Sequence, residues 1–198
     1  MSDYWNNRYA AKEYAYGEEP NVFFAEEIQK IKPGKIILPC DGEGRNAVYA
    51  ATLGWEVKAF DSSEEGKAKA VQLASKKNVR IDYLIDDASL IEYPEKSADV
   101  VALIYAHLPV EVRARLYKEA ISWLNPGGRI ILEAFNTNQL GNSSGGPKDV
   151  TMLFNEQIIQ ELFGTLQTEL LQMMHIELQE GEYHKGPAEV LRFIGIKL

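Results

Sequence analysis

Six residues between two apolar runs have the types and spacing to hold a nucleotide-bearing cofactor. Asp41-Gly42-Glu43-Gly44-Arg45-Asn46 follows the strand-like run "KIILPC" and opens a small-residue helix reaching about Leu53. Glycines at 42 and 44 admit a ligand close to backbone, where a Cβ would collide. Arg45 and Asn46 lie in the first turn of that helix, whose N–H groups have no intrahelical partner. The next run, "WEVKAF", ends at Asp61 and Ser62, the spacing at which a carboxylate meets ribose hydroxyls. A third run leads to Asp86-Asp87-Ala88, where a strand-end carboxylate can accept from an adenine amino group. Gly42-x-Gly44-x-x-Ala47 also satisfies the permissive dinucleotide fingerprint. A tight turn without ligand, and an acidic turn at 86–87, would use the same residues.

A second set of residues has the chemistry to face an acceptor. "IYAHLP" places Tyr105 and His107 at the end of a central strand. A histidine there is suited to proton transfer near neutral pH, and equally to capping a loop. Glu133 and Phe135 end the next strand, as a site acid and an apolar wall or as satisfied core. Tyr183 and His184 lie in "QEGEYHKGP", which as an ordinary hairpin tip would face solvent. His175, in mid-strand, reads as structural. Three scattered histidines and the single cysteine, Cys40, do not make a recognisable metal site. No G-x-S-x-G turn is present.

The elements needed to position these residues are those of an α/β fold with a mainly parallel sheet. Strands are expected at 35–40, 55–61, 80–85, 98–106 and 129–135. Helices between them cover about 45–53, 63–77 and 110–124, the last stopping at "NPGG". "NTNQLGNSSGGPKD" is a Gly/Ser/Asn-rich loop, readable as a lid over 136–150 or as a plain connection. A short helix at 154–163 follows. Runs at 168–178 and 188–198 are joined too briefly for a parallel crossover and should pair antiparallel.

The stretches "GEGRNAVYAATLGWEVKAFDSS", "DDASLIEYPEKSADVVALIYAHLP" and "LNPGGRIILEAF" together resemble the class I S-adenosylmethionine-dependent methyltransferases. The similarity is to the small bacterial group related to the tellurite-resistance and thiopurine methyltransferases, which "YWNNRYAAKEYAYGEEPN" and "EGEYHKGPAEVLRFIG" also resemble. The resemblance implies a Rossmann-like three-layer sandwich whose seven-stranded, mostly parallel sheet ends in an antiparallel hairpin. It implies S-adenosyl-L-methionine as cofactor, with Gly42 and Gly44 flanking it, Asp61 on its ribose, and Asp87 with Ala88 at its adenine. Tyr16 and Gly17 would help cover the site, within an N-terminal helical cover spanning residues 1–30. The usual motif has an acid at position 38 and a glycine at position 40; this chain has Leu38 and Cys40. Asp41 is then either a replacement carboxylate for the cofactor's amino group or a helix-capping acid. Cys40 reads as a space-filler rather than a reactive thiol.

The 198 residues suit one domain. A net charge of −8 disfavours non-specific nucleic-acid binding. Lys67, Lys69, Lys76, Lys77 and Arg80 read as a solvated helix face rather than a phosphate patch. No apolar run approaches membrane-span length, and the polar N-terminus lacks a signal-peptide core. The expectation is therefore a cytoplasmic enzyme with no membrane or nucleic-acid partner, a monomer or weak homo-oligomer. Small size without an added recognition domain favours a small-molecule methyl acceptor, with thiol, selenide or tellurite, amine and carboxylate all open. The alternatives are a nicotinamide-dependent oxidoreductase and a non-catalytic binding or regulatory protein on the same fold.

Overall fold

The computed structural model describes residues 2–198. Its elements run α1 (Ser2–Tyr9), α2 (Val22–Ile28), β1 (Lys35–Pro39), α3 (Arg45–Thr52), β2 (Glu56–Asp61), α4 (Glu64–Lys76), β3 (Asp82–Ile85), β4 (Ala98–Ile104), α5 (Val110–Trp123), β5 (Leu124–Phe135), α6 (Glu156–Phe163), β6 (Gln167–Glu180) and β7 (His184–Ile196), with short 3-10 turns at 137–139 and 150–152. The seven strands form one sheet in the order β3-β2-β1-β4-β5-β7-β6. β1 to β5 pair in parallel, and β7 pairs antiparallel with both β5 and β6. The five parallel strands and the terminal antiparallel pair are as the sequence pattern implies.

Alternation along the strands sends side chains to two cores. Ile36, Leu38, Val100 and Ala102 pack under α2 and α3 with Phe24 and Ile28. Ile37, Val101 and Leu103 face the other way, onto Leu116, Tyr117 and Trp123 of α5 and Phe163 of α6. Leu38 is thus a core residue, 1% exposed. The position where the motif of the resembled family has an acid faces hydrocarbon in this protein. Ser63 caps α4 by accepting the Gly66 N–H at 3.0 Å, and Asn155 caps α6 from Ile158 N–H at 2.9 Å.

The terminal hairpin is longer than expected. Its turn is only residues 181–183, and Glu180 pairs with His184 across it. A Cβ on Gly181 (φ +71°) would lie 2.5 Å from the Ala15 carbonyl oxygen, so only glycine lets the turn press against the N-terminal segment. The sequence expectation of a nine-residue join at 179–187 fails because cross-strand pairing runs on to Glu180 and His184. β5 is also longer: Leu124 already pairs with Ala98, with a register shift before Val100.

The N-terminal segment is tied down by buried polar groups. Arg45 forms an ion pair with Glu180 at 2.9 Å and donates to the Tyr16 carbonyl at 3.1 Å. Glu43 pairs with Lys69 at 2.7 Å and accepts the Ala15 N–H at 2.8 Å. Asn21 caps α2, donates to Glu133 at 2.6 Å and to Glu180 at 3.0 Å, and its N–H reaches Asn46 at 2.9 Å. Lys69 is therefore buried rather than part of a solvated face, while Lys76 and Lys77 pair with Glu18 and Glu19.

A buried ion pair broken on one side leaves an uncompensated charge. Glu180→Ala is expected to cost about 3–5 kcal/mol in urea unfolding; a loss below about 1 kcal/mol would show that Arg45 finds another partner.

Candidate functional site

The carboxyl ends of β1, β2, β4 and β5, the hairpin turn and α1 enclose a cavity of about 650 Å³, within the ~300–1,000 Å³ usual for small-molecule sites. Asp41, Gly42, Arg45, Asn46, Asp61 and Ser62 line it at one end, with Asp87 and Ala88 beside them. Tyr105, His107, Phe135, Tyr183 and His184 line the other end, and Tyr16 lies between. Residues far apart in sequence are thereby brought to one place.

Three expected residues are outside the lining. Glu133 is fully buried and accepts from Asn21, Tyr105 OH (2.9 Å) and Arg192 (2.6 Å), as a satisfied sheet acid. Gly17 lies behind Tyr16, against Gly181. A Cβ on Gly44 would meet Ala70 of α4 at 2.4 Å, so this glycine serves helix packing rather than ligand approach.

The acids of the loop define the electrostatics. Asp61 accepts the Gly42 N–H at 3.1 Å and the Ser63 N–H at 3.0 Å. Burial still pushes its carboxyl up to about 6. Asp41 accepts the Ala47 N–H at 3.1 Å and the Asn46 side-chain amide at 3.3 Å, so it does cap α3. Burial pushes it to about 7. Neither carboxylate has a salt-bridge partner among the described residues. This end of the cavity is short of positive charge, and a cationic ligand fits that deficit. The protein's own carboxylate already occupies the N-terminus of α3, where a dinucleotide's pyrophosphate would bind.

Cys40 has φ +56°, the left-handed region that favours glycine, at the position where the motif of the resembled family has one. Burial, then Asp61, Asp41 and Asp87, push its thiol well above the usual range, so it stays protonated and unreactive. Asp87 is exposed and held low by the Ser89 hydroxyl and N–H, both accepted at 2.7 Å.

At the opposite end the two histidines differ. His107 donates from Nδ1 to the Met152 carbonyl at 2.8 Å and accepts the Phe135 N–H at Nε2 at 3.1 Å. Burial lowers it to about 4. With both nitrogens taken by backbone, it braces the strand end and has no lone pair to offer as a base. His184 is 6% exposed, not at a solvent-facing tip. Its Nδ1 faces Glu180 at 3.2 Å. Burial would raise Glu180, but the His184 hydrogen bond and the Arg45 charge outweigh it and hold the carboxyl at about 2. An ionised Glu180 fixes the Nδ1–H tautomer and leaves Nε2 as the lone-pair nitrogen. The ring packs against Tyr16 at 4.4 Å, Tyr105 at 4.5 Å and Phe135 at 5.2 Å. Tyr105 takes φ +53°, and its hydroxyl is spent on Glu133. His175 is exposed and pairs with Glu189 across the hairpin. No cluster of three or more His, Cys, Asp or Glu capable of holding a metal exists among the described residues.

α1 lies within the expected helical cover of residues 1–30, but the side chains it turns to the cavity were not among the expected site residues. Trp5, Arg8 and Tyr9 line the cavity at helical i, i+3, i+4 spacing, and the Tyr9 hydroxyl lies where a Gly42 Cβ would fall. The aromatic pattern of "YWNNRY" was the available signal. The loop after β5 also contributes, through Ser143, Gly145 and Gly146. Its buried Gln139 and Ser144 are bonded to Glu189 N–H and the Pro187 carbonyl.

The methyltransferase domain family matches residues 39–128, the stretch holding the glycine loop, Asp61, Asp87 and Tyr105. The structure of TehB from Haemophilus influenzae aligns with all of this chain and 67% of that one, at TM-score 0.72 and 19% identity. The chain resembles the class I S-adenosylmethionine-dependent methyltransferases. Among these methyltransferases, the probable S-adenosyl-L-methionine-dependent methyltransferase TehB of Haemophilus influenzae is 26% identical over 140 residues, 67% of this chain and 49% of that protein. Phosphoethanolamine N-methyltransferase 1 of Arabidopsis thaliana is 24% identical over 146 residues, 73% of this chain and 28% of that protein. The chain thus spans half or less of these relatives. No helix among the described residues is long and apolar enough to cross a membrane.

Because an unfolded imidazole protonates near 6.5 and His107 near 4, the protonated ring opposes folding, and stability falls as pH drops through that window. NMR of the imidazole nitrogens should show His107 as the neutral Nδ1–H tautomer at pH 5.5; a midpoint near the ordinary histidine value would contradict the bracing role.

Proposed function

We infer that the protein is an S-adenosylmethionine-dependent methyltransferase that moves a methyl group directly to a small-molecule acceptor. The observation that carries this reading is a pair of carboxylates without salt-bridge partners among the described residues, the half-buried Asp41 and the buried Asp61, beside Gly42. When bound, S-adenosylmethionine supplies an activated methyl on a sulfonium, and its positive charges complement that pair. Asp61 accepts the ribose hydroxyls, and Asp87 with the Ala88 backbone meets the adenine. Asp41 serves both as cap of α3 and as counter-charge to the amino group, the function that Leu38 leaves vacant.

The chain's remaining task is to orient the acceptor and exclude water. Tyr105 and Phe135 form the walls, residues 143–147 close the acceptor end as a lid, and α1 lies over the cavity from the cofactor end, at Asn6 and Tyr9, to Arg8 beside Tyr183. An acceptor that must lose a proton gives it to His184 Nε2, with Glu180 holding the ring. The nicotinamide reading is disfavoured by the carboxylate at the α3 N-terminus, which would face a diphosphate of like charge.

Calorimetric titration with S-adenosylmethionine, S-adenosylhomocysteine and NADH separates the readings. The adenosyl sulfur compounds should bind and NADH should not; the reverse would overturn the proposal, and no binding of any would favour a non-catalytic protein. Asp61→Asn should weaken S-adenosylhomocysteine about tenfold or more. Since Asp41 ionises at about 7 and Asp61 at about 6, S-adenosylmethionine affinity should rise as pH increases from about 6 to about 8. Asp41→Asn should flatten that rise; an unchanged profile would remove Asp41 from the cofactor's surroundings.

A further inference from the structure

One cation in the cavity has no acid to answer it. Arg8 projects from the last turn of α1 into the lining. Its guanidinium donates to the Tyr4 hydroxyl at 2.7 Å and the Tyr16 hydroxyl at 3.3 Å, and lies 3.8 Å over the Tyr183 ring. All three partners are neutral phenols, so they position the charge without cancelling it. Arg45, the other lining cation, is neutralised by Glu180, and the nearby Lys69 and Arg192 by Glu43 and Glu133. No carboxylate lies within salt-bridge distance of Arg8 among the described residues.

The placement is directional. Asp41, Asp61, Asp86 and Asp87 gather at one end of the cavity and repel anions there. Arg8 instead donates to Tyr16, whose ring lies tilted 4.4 Å from His184, and sits over the ring of Tyr183, which lines the other end. The walls beside it are apolar: Phe135, Tyr105, Leu108 and Met152. A guanidinium is a planar fork suited to a carboxylate or an oxyanion, and half burial strengthens that contact.

We propose that Arg8 is the anion-recognition group of this site, taking the carboxylate or oxyanion of a bound small molecule whose apolar body lies along Phe135 and Tyr105. The proposal rests on the methyltransferase reading and adds a substrate class to it: a small organic anion. The same chemistry is offered by the cofactor's own α-carboxylate, and the experiment separates the two sources.

Wild type, Arg8→Gln and Arg8→Lys are compared with four probes. S-adenosylhomocysteine and 5′-methylthioadenosine, which lacks the amino-acid charges, are titrated by calorimetry. Benzoate and its neutral isostere benzamide are titrated by ligand-observed NMR, on ligand-free and on S-adenosylhomocysteine-loaded protein. Arg8→Gln should weaken benzoate about tenfold, leave benzamide and methylthioadenosine within about twofold, and be partly rescued by Arg8→Lys, which keeps the charge but not the fork. If S-adenosylhomocysteine loses that affinity instead, with methylthioadenosine unchanged, the recognised anion is the cofactor's carboxylate. Equal losses for charged and neutral probes would reduce Arg8 to a latch for α1 and overturn the proposal. So would unchanged S-adenosylhomocysteine affinity with benzoate unbound or indifferent to the substitution. Arg8-dependent benzoate binding in a protein that does not bind S-adenosylhomocysteine would refute the methyltransferase reading and leave the anion site standing.

Discussion

The buried pair of Arg45 and Glu180 is the interaction on which the site depends. Two opposite charges removed from water are worth their desolvation only when each is fully engaged, and here each is. Arg45 also holds the Tyr16 carbonyl, and Glu180 also takes Asn21 and His184. Through that pair the first turn of α3, the N-terminal segment and the tip of the last hairpin meet at one point. The cavity exists because these three segments, the hairpin tip more than a hundred residues from the other two, are locked around the ends of the parallel strands.

The same network sorts the polar residues by task. Glu133, Glu43 and His107 have every strong contact made by protein groups, and they hold the walls. Asp41 and Asp61 are bonded to backbone yet make no salt bridge among the described residues, and burial raises both. An acid with satisfied hydrogen bonds but no cation prefers a positively charged visitor, whereas a carboxylate with both bonds and a cation, such as Glu180, is already complete. The altered loop follows this logic. Leu38 lies in the core, Cys40 accepts a left-handed backbone that glycine would take freely, and Asp41 is an acid lining the cavity.

Much of the fold was legible in the chain. Alternating apolar runs and helix patterns pointed to five parallel strands, and the short join between the last two runs forced an antiparallel pair. Spacing alone placed Asp61 and Asp87 at strand ends. What escaped was decided by side-chain partners. Glu133 looked like a site acid until Asn21, Tyr105 and Arg192 closed around it. His107 looked like a base until two backbone groups took its nitrogens. His184 could be read as a site residue or as a solvent-facing hairpin tip, and the fold of the N-terminal segment over that tip buried it.

The sequence by itself determined the order of elements, the glycine-rich turn and the acids that follow it, because these are set by local periodicity and short spacing. Only the tertiary structure decided which polar groups are free. Freedom depends on whether a distant residue arrives to accept or donate, and on how much water the packing removes. Arg8 shows the difference: in sequence it is one basic residue in an aromatic helix, and in the folded chain it is the cavity's uncompensated cation.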